Sequence, residues 1–193
     1  MTRNRKFSNG SLGTISIALL MVLGTSLMAA LFSCNENQST SPVKEKLTNR
    51  ETAFVDSNWV APADSTIPAG KVGDEIRYGK QLIVHTSLYL GPKGKIASIS
   101  NGLNCQNCHL AAGTKPYALN FSAVNSTYPQ IRNRSGTLVS IAERINGCFK
   151  RSLNGQSLDT GSKEMIAMIA YIKWIGNKVP SGVKPGNAGI MQL

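Results

Sequence analysis

The feature that most constrains this chain is Cys105-Gln106-Asn107-Cys108-His109, a C-x-x-C-H run. Two thiols three positions apart can add to the two vinyl groups of one haem, and a histidine directly after them can give the iron an axial nitrogen. One short turn has to serve all three bonds, which is why the spacing is specific. A zinc site would want a second C-x-x-C or a His pair, and the sequence has neither. A thioredoxin-like redox pair would want a preceding strand and has no need of the histidine. The expectation is one haem c, bound covalently by Cys105 and Cys108, with His109 as proximal iron ligand.

The other two cysteines, Cys34 and Cys148, then need separate accounts. Arg3, Arg5 and Lys6 precede an apolar run over 15–31 that ends in Leu31-Phe32-Ser33-Cys34 and turns abruptly polar. This pattern reads as an export signal with a bacterial lipobox, Cys34 being the lipidated first residue of the mature chain. An uncleaved membrane anchor is the alternative, and the run is near the lower length limit for one. Either reading puts the domain outside the cytoplasm, on the periplasmic side of a bacterial membrane. The expected organisation is a signal segment over 1–33, a tether and extended arm over 34–72, a haem domain over 73–180 and a loose Gly- and Pro-rich tail over 181–193. Residues 35–52 are too polar to bury a core. The formal charge of +11 favours acidic partners or small anions. No nucleic-acid motif accompanies it, so nucleic acid is not an expected partner.

The domain reads as all-α. Over 73–90, Ile76, Gly79 and Ile83 share one helical face, and a glycine there lets another helix come close. Asp74 and Glu75 suit a first turn. Residues 110–128 lack periodicity and read as a loop around the haem edge. Over 137–151, Leu138, Ile141, Ile145 and Cys148 form an apolar stripe, and Arg144 sits one turn before Cys148. Gly147 weakens that helix or makes room for something flat. A last helix over 162–175 has Ser162 as N-cap and Glu164 in its first turn. A helix with Gly79 packed on one with Tyr171 and Trp174 is the pairing expected of a cytochrome c fold.

The second axial ligand is open on spacing alone. Candidates are Cys148, Met165, Met168, Met191 and His85. A His/Met pair is common in electron carriers. Met165 and Met168 also fit simple core packing, His85 a surface helix position, and Met191 an unordered tail. Cys148 fits a small buried hydrophobe, yet it is the one thiol without a role, and Arg144, Lys150 and Arg151 lie near it. Positive neighbours in general favour the thiolate form of cysteine. Arg132, Arg134, Arg144, Lys150 and Arg151 also form a basic segment suited to oxyanions, although a solvated helix face explains part of it.

Several runs together resemble the haem domain of thiosulfate dehydrogenases. They are Tyr78-Gly79-Lys80, Tyr89-Leu90-Gly91-Pro92, the whole of 100–109, Tyr128-Pro129, Arg134-Ser135-Gly136 and Arg144-Ile145-Asn146-Gly147-Cys148-Phe149. They are more distantly similar to the haem subunit of the Sox thiosulfate-oxidising system. The resemblance covers roughly 73–176. It implies Cys148 as distal ligand of a catalytic haem, Arg144 lining the substrate site, and the joining of two thiosulfates into tetrathionate with release of two electrons. Many members carry a second C-x-x-C-H domain as electron exit. A single motif here implies a separate electron-acceptor protein. The competing readings are a plain monohaem electron carrier with His/Met ligation, and haem-based sensing.

Overall fold

The computed structural model describes residues 53–55 and 58–191, all within a compact unit spanning 41–193. The signal segment, Cys34 and most of the tether lie outside the described residues. None of the described helices is long and apolar enough to cross a membrane.

Helix α1 (Gly70–Val84) begins one turn earlier than the acidic pair suggests, so Asp74 and Glu75 fall in its second turn. Asp74 there accepts a hydrogen bond from Arg77 at 3.2 Å. The buried face carries Ile76, Gly79, Leu82 and Ile83. Its partner is α6 (Lys163–Ile175), where Ser162 accepts the first-turn N–H of Met165 at 3.2 Å. The two helices meet at Gly79. A Cβ at this position would lie 2.0 Å from the Ala167 carbonyl oxygen and 2.8 Å from Tyr171 Cβ. Only a hydrogen fits, and the close approach buries Met165, Met168, Tyr171 and Ile175 almost completely. Each such side chain contributes about 1.5–3 kcal/mol through removal from water. Met165 and Met168 are thus core residues.

Helix α1 does not continue to Leu90. His85 leaves helical geometry, and a short helix α2 (Thr86–Leu90) follows. His85 itself is exposed. The break is what presents Thr86 to the haem-motif turn, as described below. The region 110–128, read as a loop, contains two single-turn helices, α3 (Leu110–Gly113) and α4 (Val124–Thr127). Within α3, Ala111 and Ala112 have left-handed backbone angles, so it is a tight turn rather than a regular helix.

The expected helix over 137–151 starts late. Strands β2 (Gln130–Arg132) and β3 (Thr137–Val139) form an antiparallel hairpin, closed where the Arg132 carbonyl accepts the N–H groups of Ser135 and Gly136. Gly136 takes a positive φ of 63° that favours glycine. Leu138 is therefore an exposed strand residue, not part of the apolar stripe. Helix α5 (Ile141–Arg151) begins after Ser140, which forms a reciprocal cap with Glu143. The all-α expectation needs this hairpin added, and one more pair of strands. Strand β1 (Ala53–Val55) pairs in parallel with β4 (Val183–Pro185).

That second pairing corrects the reading of the tail as loose over 181–191, the part of 181–193 among the described residues. Ser126 Oγ donates to the Val183 carbonyl at 2.6 Å. Asn187 is buried and exchanges two hydrogen bonds with the Trp59 backbone, at 3.1 and 2.7 Å. A segment poor in apolar side chains is held here by backbone hydrogen bonds, which composition does not reveal.

Candidate haem site

The C-x-x-C-H run begins as a 3₁₀ turn, Cys105–Asn107, flanked by Asn104 and Asn107, which cap it reciprocally. Neighbouring elements pin it from behind. Thr86 Oγ1 accepts the Cys105 N–H at 3.0 Å and donates to the Leu82 carbonyl at 2.7 Å. Ser87 donates to the Asn104 side-chain oxygen through both its N–H and its hydroxyl, each at 2.9 Å. Gln106 donates to the Val84 carbonyl at 3.0 Å. The broken end of α1 thus fixes the turn that carries both thiols.

His109 is held differently. Its Nδ1 lies 2.5 Å from the Leu119 carbonyl oxygen, so Nδ1–H donates and Nε2 is left with a free lone pair. Its ring also packs on Phe121, centroids 4.5 Å apart. Phe121 can come this close because residue 113 is glycine, where a Cβ would lie 2.1 Å from the Phe121 ring. Burial first, and the Arg144 charge, lower the His109 pKa, against the opposing pull of the Leu119 bond. A neutral imidazole is the form that ligates a metal. Burial likewise pushes the Cys105 thiol up to about 11.

A cavity of about 490 Å³ opens over this motif, within the range of roughly 300–1,000 Å³ that cofactors occupy. Cys105, Cys108 and His109 line one side. Helix α5 brings Ile141, Arg144, Ile145 and Cys148 to the same cavity, and α6 brings Met168. Arg144 donates from Nη1 to Cys148 Sγ at 2.7 Å. The helical spacing of four residues makes this contact. Arg132 on β2 also lines the cavity and donates to the Tyr128 hydroxyl at 2.7 Å, and Lys184 on β4 reaches it from the tail. Among the described residues no carboxylate side chain lines it. Two thiols beside a free imidazole nitrogen, with a third thiol on another wall, form a donor set that fits a covalently attached iron macrocycle. The cationic lining suits its carboxylates and other anions. Among the described residues no three His, Cys, Asp or Glu side chains gather to hold a bare metal ion.

The structure therefore brings seven of the candidates read from the sequence to one cavity: Cys105, Cys108, His109, Arg132, Arg144, Cys148 and Met168. Met165 does not line it. His85 and Met191 do not reach it. Arg134, Lys150 and Arg151 are solvent-facing and do not line it. Gly147 does not line it either; the space of its missing Cβ faces the Arg151 guanidinium. Sequence reasoning missed Thr86, Leu119 and Lys184. None carried a sequence signal: Thr86 acts across a helix break, 19 residues before Cys105, and the others act through backbone or through the tail. A larger cavity of about 870 Å³, between Trp59, Val72 and Trp174, is lined by no Cys, His or acidic side chain among the described residues.

Residues 95–180 match the family model described as the SoxA/TsdA cytochrome c domain. The chain is 41% identical over 132 residues to a thiosulfate dehydrogenase of Psychrobacter arcticus, covering 68% of this chain and 39% of that protein. It is 34% identical over 136 residues to a thiosulfate dehydrogenase of Allochromatium vinosum, covering 68% of this chain and 48% of that protein. Among solved structures it is similar to thiosulfate dehydrogenase TsdBA from Marichromatium purpuratum, as isolated. That match has a TM-score of 0.62 and 28% identity, covering 70% of this chain and 29% of that one. The chain spans less than half the length of these relatives.

Proposed function

From the premise that this is a thiosulfate dehydrogenase-like c-type cytochrome, with a cytochrome c domain of the SoxA/TsdA type over 95–180, we propose that it oxidises thiosulfate to tetrathionate. The observation that carries this reading is the Arg144–Cys148 contact inside a carboxylate-free cavity shared with the C-x-x-C-H motif. A plain electron carrier has no need of a guanidinium on a thiol.

One haem c would be held covalently by Cys105 and Cys108, and His109 Nε2 and Cys148 Sγ would supply donor atoms to its iron. When bound, the haem supplies a one-electron redox centre that passes electrons to a separate acceptor protein. The chain's own residues do the rest. Arg144 holds the sulfur of Cys148 by a charge-assisted hydrogen bond. Its guanidinium, with Arg132 and Lys184, draws the thiosulfate dianion into the cavity. Cys148 thiolate bonds to the terminal sulfur of one thiosulfate, and the two electrons released as this S–S bond forms go, one at a time, to the separate acceptor protein. The terminal sulfur of a second thiosulfate then attacks the bound one. The Cys148–sulfur bond breaks, tetrathionate departs, and the thiolate is restored. Each thiosulfate brings two negative charges, the product carries two, and two electrons leave.

Export and anchorage complete the proposal: residues 1–33 direct the chain out of the cytoplasm and Cys34 carries the lipid. Incorporation of labelled fatty acid that stops with Cys34→Ala checks that part.

The decisive experiment is thiosulfate-dependent ferricyanide reduction by the purified haem-loaded protein. Cys148→Ser should retain the haem and lose turnover by about 100-fold or more, the scale on which loss of a nucleophile acts. Full turnover by this variant sinks the proposal. Met168 in the cavity wall favours one second reading, a monohaem carrier with His/Met ligation. Ferric EPR separates the two, because a thiolate and a thioether ligand give different low-spin signals.

A further inference from the structure

We propose that the C-terminal tail over 182–190 is a backbone clamp that positions His109, with Asn187 as its anchoring residue. The proposal rests on the reading of His109 as the proximal iron ligand and adds a residue that acts on it from a distance.

The connection can be followed bond by bond. The Asn187 side chain accepts the Trp59 N–H at 3.1 Å and donates to the Trp59 carbonyl at 2.7 Å. This pair fixes the backbone of residue 187 against the arm that precedes α1. The Asn187 carbonyl then accepts two donors from the loop after the haem motif: the Tyr117 N–H at 2.9 Å and the Asn120 side-chain amide at 2.7 Å. Two residues on, the Gly189 carbonyl accepts the Leu119 N–H at 2.8 Å. The Leu119 carbonyl is the acceptor of His109 Nδ1–H. Three tail-to-loop bonds therefore converge on the one peptide segment that orients the imidazole.

The loop needs such holding. Tyr117 and Leu119 both have left-handed backbone angles, φ 57° and 54°, in side-chain-bearing residues. Such a conformation persists where surroundings over-determine it. Here the tail supplies the determining bonds. Ala188 and Gly189 also line the cavity, which puts the clamp at its edge. Metal-ligating histidines are tuned by what their second nitrogen donates to: a well-placed carbonyl makes the ring a stronger donor and fixes its plane. Loosening the Leu119 carbonyl weakens the donor and favours the reduced iron, so the haem potential should rise.

The test uses the haem-loaded full chain and two variants. Asn187→Ala removes both anchoring bonds. Asn120→Ala removes the donor to the Asn187 carbonyl without adding a charge beside the cavity. Both should shift the haem potential in the positive direction and move the hyperfine-shifted His109 ring signals in proton NMR. Asn187→Gln keeps both hydrogen-bonding groups on a longer side chain and should fall between parent and Asn187→Ala. A comparison variant in α1, Ile76→Val, should lower the melting temperature and leave potential and His109 signals at parental values. If Asn187→Ala does not fold, Asn187→Gln and Asn120→Ala decide. Variants that melt earlier with unchanged potential and His109 signals overturn the clamp. His109→Ala separates the two levels: if this variant keeps the parental haem spectrum, it is the ligand reading that fails. A changed spectrum there with silent Asn187 and Asn120 variants overturns the clamp alone.

Discussion

The two walls of the cavity are built on opposite plans. The wall carrying Cys105, Cys108 and His109 is held by partners from other parts of the chain. Thr86, Ser87 and Gln106 tie the turn to α1 and α2, and Leu119 ties the histidine to the loop after the motif, which the tail holds in turn. The wall carrying Cys148 is one helix, and the polar contacts at its thiol are local, although Asn146 on the same helix is bonded to the Leu158 backbone. Its cap is Ser140 with Glu143, and the partner of its thiol, Arg144, is one turn away on the same helix. The difference suits the two tasks. In the proposed mechanism His109 has to stay in place, and rigid surroundings remove its freedom. In the same mechanism Cys148 has to bond substrate, so its sulfur must be able to move while its charge partner moves with it. A helix carrying both keeps the pair together whatever the rest of the domain does.

The comparison is sharpened by removing the partner on each wall. The largest effect is expected at Arg144. Arg144→Met keeps length and removes the donor, and turnover should fall by about 100-fold, as for loss of one pre-organised donor. Stability should change by no more than about 0.5 kcal/mol, because the residue is only part-buried. A melting curve beside the ferricyanide assay checks both, and a large loss of stability would mean that this wall is not local after all. On the other wall the order reverses. Thr86→Val leaves the Cys105 N–H without an acceptor in a buried position and should cost about 1–3 kcal/mol, read by denaturant unfolding. Turnover of the folded fraction should stay within about twofold, a small change in barrier.

The same contrast governs what was legible in the sequence. The helix crossing could be read, because Gly79 and the apolar spacing of α1 and α6 are periodic signals. The Arg144–Cys148 pair could be read too, because four-residue spacing on a helix is a contact rule. The long-range wall could not. Thr86 becomes an acceptor for Cys105 only because α1 breaks at His85, and nothing in 73–90 marks that break. The tail looked loose because its anchors are carbonyl groups and one amide, which every sequence has. The start of α5 was misplaced for a different reason. Apolar Leu138 fits the stripe, yet Ser140 and Glu143 spell a capping box that sets the boundary four residues later.

That capping box supplies a smaller test. Ser140→Ala removes the acceptor of the Glu143 N–H and should cost about 1 kcal/mol. Because α5 carries Arg144 and Cys148 together, turnover of the folded protein should be nearly unchanged. A drop of tenfold would show that the start of the helix, and with it the hairpin before it, positions the thiol.

The smallest effect is expected at Arg134, and it decides how far the basic segment acts as a unit. Sequence alone groups Arg132, Arg134, Arg144, Lys150 and Arg151, but the cavity takes only Arg132 and Arg144 from that set. Arg134 lies in the exposed turn between β2 and β3. Exposed charges beyond about 10 Å are largely screened at ordinary ionic strength. Arg134→Gln should therefore change the thiosulfate KM by less than about twofold in 0.1 M salt, whereas Arg132→Gln should raise it clearly. If both variants raise KM alike, and the effect of each fades with added salt, the anion is steered by the whole basic surface. If only Arg132 matters, the anion is held inside the cavity by the guanidinium that the Tyr128 hydroxyl orients.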